Sequence, residues 1–284
     1  MHYGTLTMMA PYLMINSFRI LLLFTLSFLW FSLAPAPARA QALAMKPTGA
    51  AVEKPLLGGR HFKISFAKMG TVHVWVPKGY VRKTAGIVVY LHGYHTTVDK
   101  AFVDHKLVEQ FQKSRQNALF IVPACPSGKD EAVVWNSLSM LKKSVQAANI
   151  RLPDGETVVV AHSGGFRTVR GWTDNRLLKE IILLDAMYGG FNEFKEFIAT
   201  GARAANRRMI LVTSDTDTQT RAFTKEFAFA VTRTGIPAEY SGFTSREKKS
   251  RLLYVKSQYD HMAIVTSMAV MPVLLRLTPL RILP

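Results

Sequence analysis

From residue 86 onward the chain repeats one figure: a short unbroken apolar run, a polar turn, then apolar residues recurring at helical spacing. The runs are "GIVVYLHG" at 86–93, "ALFIVPA" at 118–124, "TVVVAHS" at 157–163, "EIILLDA" at 180–186, "RMILVTS" at 208–214 and "RLLYVKS" at 251–257. Apolar runs of this length without alternation are the mark of strands buried on both faces. Between them, Phe102, Leu107, Val108 and Phe111 predict a helix over Val98 to Gln116. Further helices are predicted over Glu131 to Ala148, from Arg167 to about Trp172, and after His261. Upstream, "FKISFAKM", Gly70 and "TVHVWVP" predict two strands joined by a turn. Strands alternating with helices require right-handed crossovers and a parallel sheet covered on both sides. The expected fold is therefore α/β: a mainly parallel, doubly wound sheet with an antiparallel N-terminal edge.

The first forty residues stand apart from this pattern. Arg19 precedes a 14-residue apolar run, Ile20 to Leu33, and "APAPARA" follows, ending in the small-x-small triplet Ala38-Arg39-Ala40. These are the three parts of a secretory signal peptide cleaved near Ala40. The run falls short of the roughly 20 apolar residues of a spanning helix, although an uncleaved N-terminal anchor is the alternative. Met8, Met9 and Met14 leave the starting methionine open. Export predicts a periplasmic or extracellular chain from Gln41 to Pro284. Within it, residues 41–60 read as a loose lead-in and residues 61–284 as one α/β domain, with no repeat, linker or low-complexity tract.

Composition changes this picture in two ways. Cys125 is the one cysteine, so no intrachain disulfide is possible, and after "ALFIVPA" it reads as a buried inert thiol. Beyond residue 40 the chain holds 34 basic against 19 acidic residues, a net +15. Some of the excess is clustered, as in "SREKKSR" at 245–251 and in Arg203, Arg207 and Arg208. Such charge either solvates a face or draws the protein to anionic envelope polymers, lipid head groups or an anionic substrate. The clusters lack interleaved aromatics and any nucleic-acid-binding signature, which argues against a nucleic-acid partner.

In doubly wound sheets, sites form at the carboxyl ends of the strands. The polar residues found there are His92, Ser163, Asp185, Asp215, Asp217 and, shortly after the last run, Asp260-His261. Ser163 sits in "AHSGG", between a buried strand and a helix, with small residues at 161 and 165. A serine hydroxyl is a poor nucleophile and needs an adjacent base, so it must project from a tight turn. The same turn sets the Gly164 amide at a helix N-terminus, where free N–H groups and the dipole favour negative charge. The plainer reading of "HSGG" is an ordinary strand-to-helix turn.

With "LHGY", "AHSGG" and "YDHM" in the order serine, acid, histidine, the chain resembles the α/β-hydrolase superfamily over nearly all its length beyond residue 40. The elbow pattern of that family is G-x-S-x-G. Ser163 and Gly165 match it, and Ala161 replaces the first glycine. The resemblance implies a Ser163 nucleophile, a His261 base and an oxyanion hole formed by the amides of Tyr94 and Gly164. It implies hydrolysis of a carboxylic ester or amide through an acyl-enzyme, with no cofactor. The stretches 186–207 and 218–251 are too short for a large cap domain, which leaves an open site.

The acid has two candidates. Asp217, in "VTSDTD", lies where most α/β-hydrolases carry theirs. Asp185, in "LLDAMYGG", follows Ser163 by 22 residues and resembles the "LDPA" acid of the pancreatic-lipase-like branch. A strand end is the more rigid anchor, which favours Asp185. Arg167, one turn after Ser163, is either a structural ion-pair partner or a group that binds an anionic part of the substrate. The other histidines have quieter readings. His61 and His73 lie near the edge strands, and His162 packs beside the nucleophile. His92, His95, Asp104 and His105 lack metal-site spacing, so no metal is expected. A reading of another class keeps the fold without catalysis, as an envelope-binding protein that adheres through its basic surface.

Overall fold

The computed structural model describes residues 43–283. The expected signal peptide and its cleavage point lie outside them. Ten strands form one sheet: β1 (Val52–Leu56), β2 (Gly59–Phe66), β3 (Gly70–Val76), β4 (Gly86–Leu91), β5 (Ala118–Pro123), β6 (Thr157–His162), β7 (Leu178–Leu184), β8 (Arg208–Thr213), β9 (Ala230–Thr234) and β10 (Leu252–Lys256). The helices are α1 (Val98–Asp104), α2 (Leu107–Ser114), α3 (Leu138–Ala147), α4 (Phe166–Arg170), α5 (Phe191–Ala199), α6 (Asp217–Lys225), α7 (Ser245–Lys249), α8 (Ala263–Thr266) and α9 (Val270–Leu275). The strand order is β1-β2-β3-β5-β4-β6-β7-β8-β10-β9. The first three strands pair antiparallel, β3 pairs antiparallel with β5, and the remaining seven run parallel.

Every residue of β4, β5 and β6 is buried. Two helical layers achieve this. Ile87, Val89 and Leu91 point into a core with Leu141 of α3, Val169 of α4, Phe194 of α5 and Phe223 of α6. Val88 and Tyr90 point the other way, against Phe102 of α1, Phe111 of α2, Ile264 of α8 and Leu274 of α9. The period-2 alternation of the strands thus divides one apolar run between two cores.

The structure corrects four expectations of local structure. The helix expected over 98–116 is two, broken at His105-Lys106, where Lys106 takes φ +47° and Gln110 Nε2 donates to the His105 carbonyl at 2.6 Å. The helix expected from Glu131 begins only at Leu138. The lead-in of residues 41–60 contains β1 and the start of β2. Pro55 lies within β1, which an edge strand tolerates. Finally β9, "AVTRT", adds a parallel edge strand to a stretch expected to be helical. The stretches 186–207 and 218–251 hold only α5, α6, β9, α7 and short turns, and no cap domain.

Candidate active site

The turn after β6 forces two close approaches. A Cβ on Gly165 would lie 2.7 Å from the Leu91 carbonyl oxygen, and one on Gly93 would lie 2.6 Å from the Ser163 Cβ. Glycine at both positions lets the β4 and β6 ends meet. Ser163 itself has φ +49°, the left-handed region, which costs a residue with a Cβ about 1–2 kcal/mol. A well-packed turn imposes this conformation and carries the hydroxyl into a cavity of about 670 Å³. Tyr94, His162, Gly164 and His261 also line that cavity, with Phe166, Tyr188 and Met262 as apolar wall and Lys100 and Asp104 of α1 as charged groups.

His261 Nδ1 donates to Asp185 Oδ2 at 2.7 Å. Asp185 is fully buried at the end of β7, and it too has a positive φ, +45°. The Asp185 carboxylate also accepts from the amides of Ser214 (2.8 Å), Asp215 (3.0 Å) and Thr216 (2.9 Å), and from Thr216 Oγ1 (2.7 Å). Burial alone pushes this carboxyl up, but the bonds from His261, Ser214 and Thr216 outweigh it and hold the group well below the usual carboxylate range. His261 responds in the opposite direction. Its bond to Asp185 raises its pKa above the ordinary 6.5, against desolvation, with Asp215 Oδ2 4.0 Å from Nδ1 adding to the rise.

The two acid candidates differ in their surroundings. The loop after β8 turns its amides toward Asp185, whereas Asp217 opens α6 and faces elsewhere. Its carboxylate accepts from Thr213 Oγ1 at 3.1 Å, from Arg221 at 3.0 Å and from the Tyr254 hydroxyl. The Ser214-to-Thr216 amides are the part of the site that residue types could not reveal. Any sequence supplies N–H groups, and only the loop's path makes them converge.

Arg167 does not line the cavity. Its Nη1 donates to the carbonyls of Gly128 (3.1 Å) and Lys129 (2.7 Å) and to the Tyr94 hydroxyl (3.2 Å), and its Nη2 to the Glu131 carbonyl (2.8 Å). The guanidinium is spent on the loop between β5 and α3.

Two histidines do more than pack. His162 is buried and its Nε2 donates to the His261 carbonyl at 3.1 Å, tethering the His261 backbone, while burial pushes the His162 pKa down to about 3. His92 Nδ1 donates to the Gly93 carbonyl at 2.8 Å, and its Nε2 accepts from the Cys125 amide at 3.0 Å. The Gly93 carbonyl and the Tyr94 N–H belong to one planar trans amide, so this bond orients that N–H away from His92. Burial pushes the Cys125 thiol up to about 12, which suits an inert group. His61 and His73 join Asp99 in a chain of hydrogen bonds of 2.8 and 2.9 Å at the foot of α1, apart from the cavity wall.

Among the described residues, Asp185, Asp215 and His261 alone bring three possible metal-ligating atoms within 4.8 Å of one another. Both Asp185 oxygens already accept hydrogen bonds, one of them from His261 itself. The donor set is therefore a carboxylate–imidazole pair rather than an open cation cage.

No known protein family matches the chain, and no sequence among the curated proteins does so. Solved structures do. A serine-to-alanine mutant of the feruloyl esterase module from Clostridium thermocellum, complexed with sinapinate, has a TM-score of 0.51 at 15% identity, covering 83% of this chain and 94% of that one. An S-formylglutathione hydrolase from Agrobacterium tumefaciens has 0.49 at 12%, covering 79% and 96%. A cold-adapted esterase from an Arctic intertidal metagenomic library has 0.48 at 12%, covering 80% and 95%. The similarity to the feruloyl esterase module shows that the two chains share a fold, an open and mostly parallel sheet with helices on both faces.

Proposed function

We propose that the protein is an exported serine hydrolase that cleaves a carboxylic ester through an acyl-enzyme. The observation that carries this reading is the 2.7 Å bond from His261 to a buried, strongly acidic Asp185, with His261 lining the same cavity as Ser163 on its strained turn. In this reaction His261 Nε2 takes the proton of the Ser163 hydroxyl as Oγ attacks the ester carbonyl. The amides of Tyr94 and Gly164 hold the resulting oxyanion, each worth roughly 3–4 kcal/mol of the barrier. His261 then returns the proton to the leaving alcohol. Water repeats the sequence on the acyl-serine. Asp185 keeps the proton on Nδ1 and stabilises the imidazolium without taking the proton itself.

The cavity's aromatic and thioether wall, Phe166, Tyr188 and Met262, favours an ester with an apolar or aromatic portion. The expected outcome with a fluorophosphonate probe is covalent labelling of the folded protein that disappears in Ser163→Ala, with the melting temperature held within a few degrees. Absent labelling of folded wild-type protein would favour the non-catalytic, envelope-binding reading. Export rests on the sequence of residues 19–40 and is tested by locating the N-terminus of the mature chain.

A further inference from the structure

A second cavity, of about 420 Å³, shares no lining residue with the first. It lies at the far edge of the sheet, between α6 and the strands β10 and β9. Arg221 and Lys225, one turn apart on α6, line one side. Across from them, Thr232 pairs with Tyr254 and Thr234 with Lys256 in the parallel register. Alternation puts these four side chains on one face of the sheet. Arg233 also contributes to the lining.

Four cations and no carboxylate line this cleft. Two are neutralised by acids outside the lining: Arg221 by Asp217 at 3.0 Å and Arg233 by Glu247 at 2.9 Å. These pairs also fix the guanidiniums, which stack over Tyr254 and Phe243. Lys225 and Lys256 have no ion-pair partner among the described residues. Two positive charges therefore remain, on different elements, facing one concave space.

We propose that this cleft is a binding site for a phosphate monoester. A carboxylate would answer one ammonium, whereas a phosphate monoester carries about −1.5 to −2 near neutral pH and answers both. The free cations are lysines, compact point charges that can meet a phosphate from two sides, and the arginines, whose forks bind carboxylate and phosphate alike, are already engaged. Thr232 and Thr234 add hydroxyl donors, and Phe227 and Ala230 give an apolar surface for the organic part of the ester. The site is independent of Ser163 chemistry and stands whether or not the protein is a hydrolase.

The test is calorimetric titration with phenyl phosphate, benzoate and benzyl alcohol at constant ionic strength. Phenyl phosphate is expected to bind at least ten times more tightly than benzoate. The double variant Lys225→Gln/Lys256→Gln should lose at least tenfold of that affinity, with each single variant intermediate. Thermal melts establish that the variants fold, and the single variants carry the test if the double one does not. Vesicles of phosphatidylcholine with and without phosphatidic acid distinguish the source of the phosphate. Capture by phosphatidic acid that is lost in the double variant assigns a lipid-borne monoester, and binding of phenyl phosphate without capture assigns a soluble one. Equal affinity for phenyl phosphate and benzoate, or undiminished binding in the double variant, would overturn the proposal and leave only diffuse positive charge.

Discussion

At the scale of single residues, the distinction between Asp185 and Asp217 is one of solvation. Each carboxylate accepts at least three hydrogen bonds, yet only Asp185 is fully buried and bonded to an imidazole. Asp185→Asn cannot hold His261 in the Nδ1–H tautomer and should cut kcat by about 10⁴-fold. Asp217→Asn should leave kcat within a few fold and cost stability instead, because Arg221 and Tyr254 lose a charged partner. Urea titration and ester kinetics on the two variants separate these effects, and a large kcat loss in Asp217→Asn would reverse the assignment. The pH profile belongs to the same pair. In the proposed reaction His261 acts when neutral, and its pKa is raised above 6.5, so kcat/KM should fall as pH drops through a value above 6.5. The residual activity of Asp185→Asn should carry that limb to lower pH, since the bond that raises the pKa is weakened.

At the scale of elements, the buried parallel strands were legible because a strand covered on both faces must be apolar throughout, whatever its neighbours. The edges were not. β1 carries Pro55 and is largely exposed, and β9 is only partly buried, so neither bears a pattern that burial would impose. Ser163, His261 and Asp185 stood out from their places at strand ends and in chain order, and the structure sets Ser163 and His261 on one cavity with His261 bonded to Asp185. The role of Arg167 was not, because its partners are backbone carbonyls of a loop whose path no residue type encodes. That loop, residues 124–137, replaces the first turns of an expected helix and is tied to α4 through one guanidinium. Arg167→Met should therefore destabilise the protein by about 1–3 kcal/mol, the range for losing charged hydrogen bonds at a partly exposed site. It should also speed limited proteolysis within 124–137. Any change in KM should be the same for acidic and neutral esters; a selective loss of the acidic ones would restore a substrate-binding role.

At the scale of the whole molecule, the burial of Glu180 links global stability to pH. Glu180 in β7 is fully buried, and neither carboxylate oxygen has a hydrogen-bond partner among the described residues. Its nearest cation, Arg208 Nη1, is 3.9 Å away and donates instead to the Leu277 carbonyl at 2.6 Å. Burial raises the Glu180 pKa from 4.5 to about 7, with Arg208 opposing the shift. Between those values the folded chain holds a proton that the unfolded chain releases. Folding then binds protons, so this group's contribution to stability falls as pH rises from 4.5 toward 7 and stays low above it. The span corresponds to about 3 kcal/mol at 1.36 kcal/mol per unit. Glu180→Gln keeps the shape of the protonated acid and cannot ionise. Its stability relative to the parent should therefore be near zero at pH 4.5 and rise by about 3 kcal/mol by pH 8. Urea unfolding of both proteins across that range measures the difference directly. A gap that stays constant with pH would mean that Glu180 ionises in the folded state as readily as in the unfolded one, held by Arg208 despite its burial.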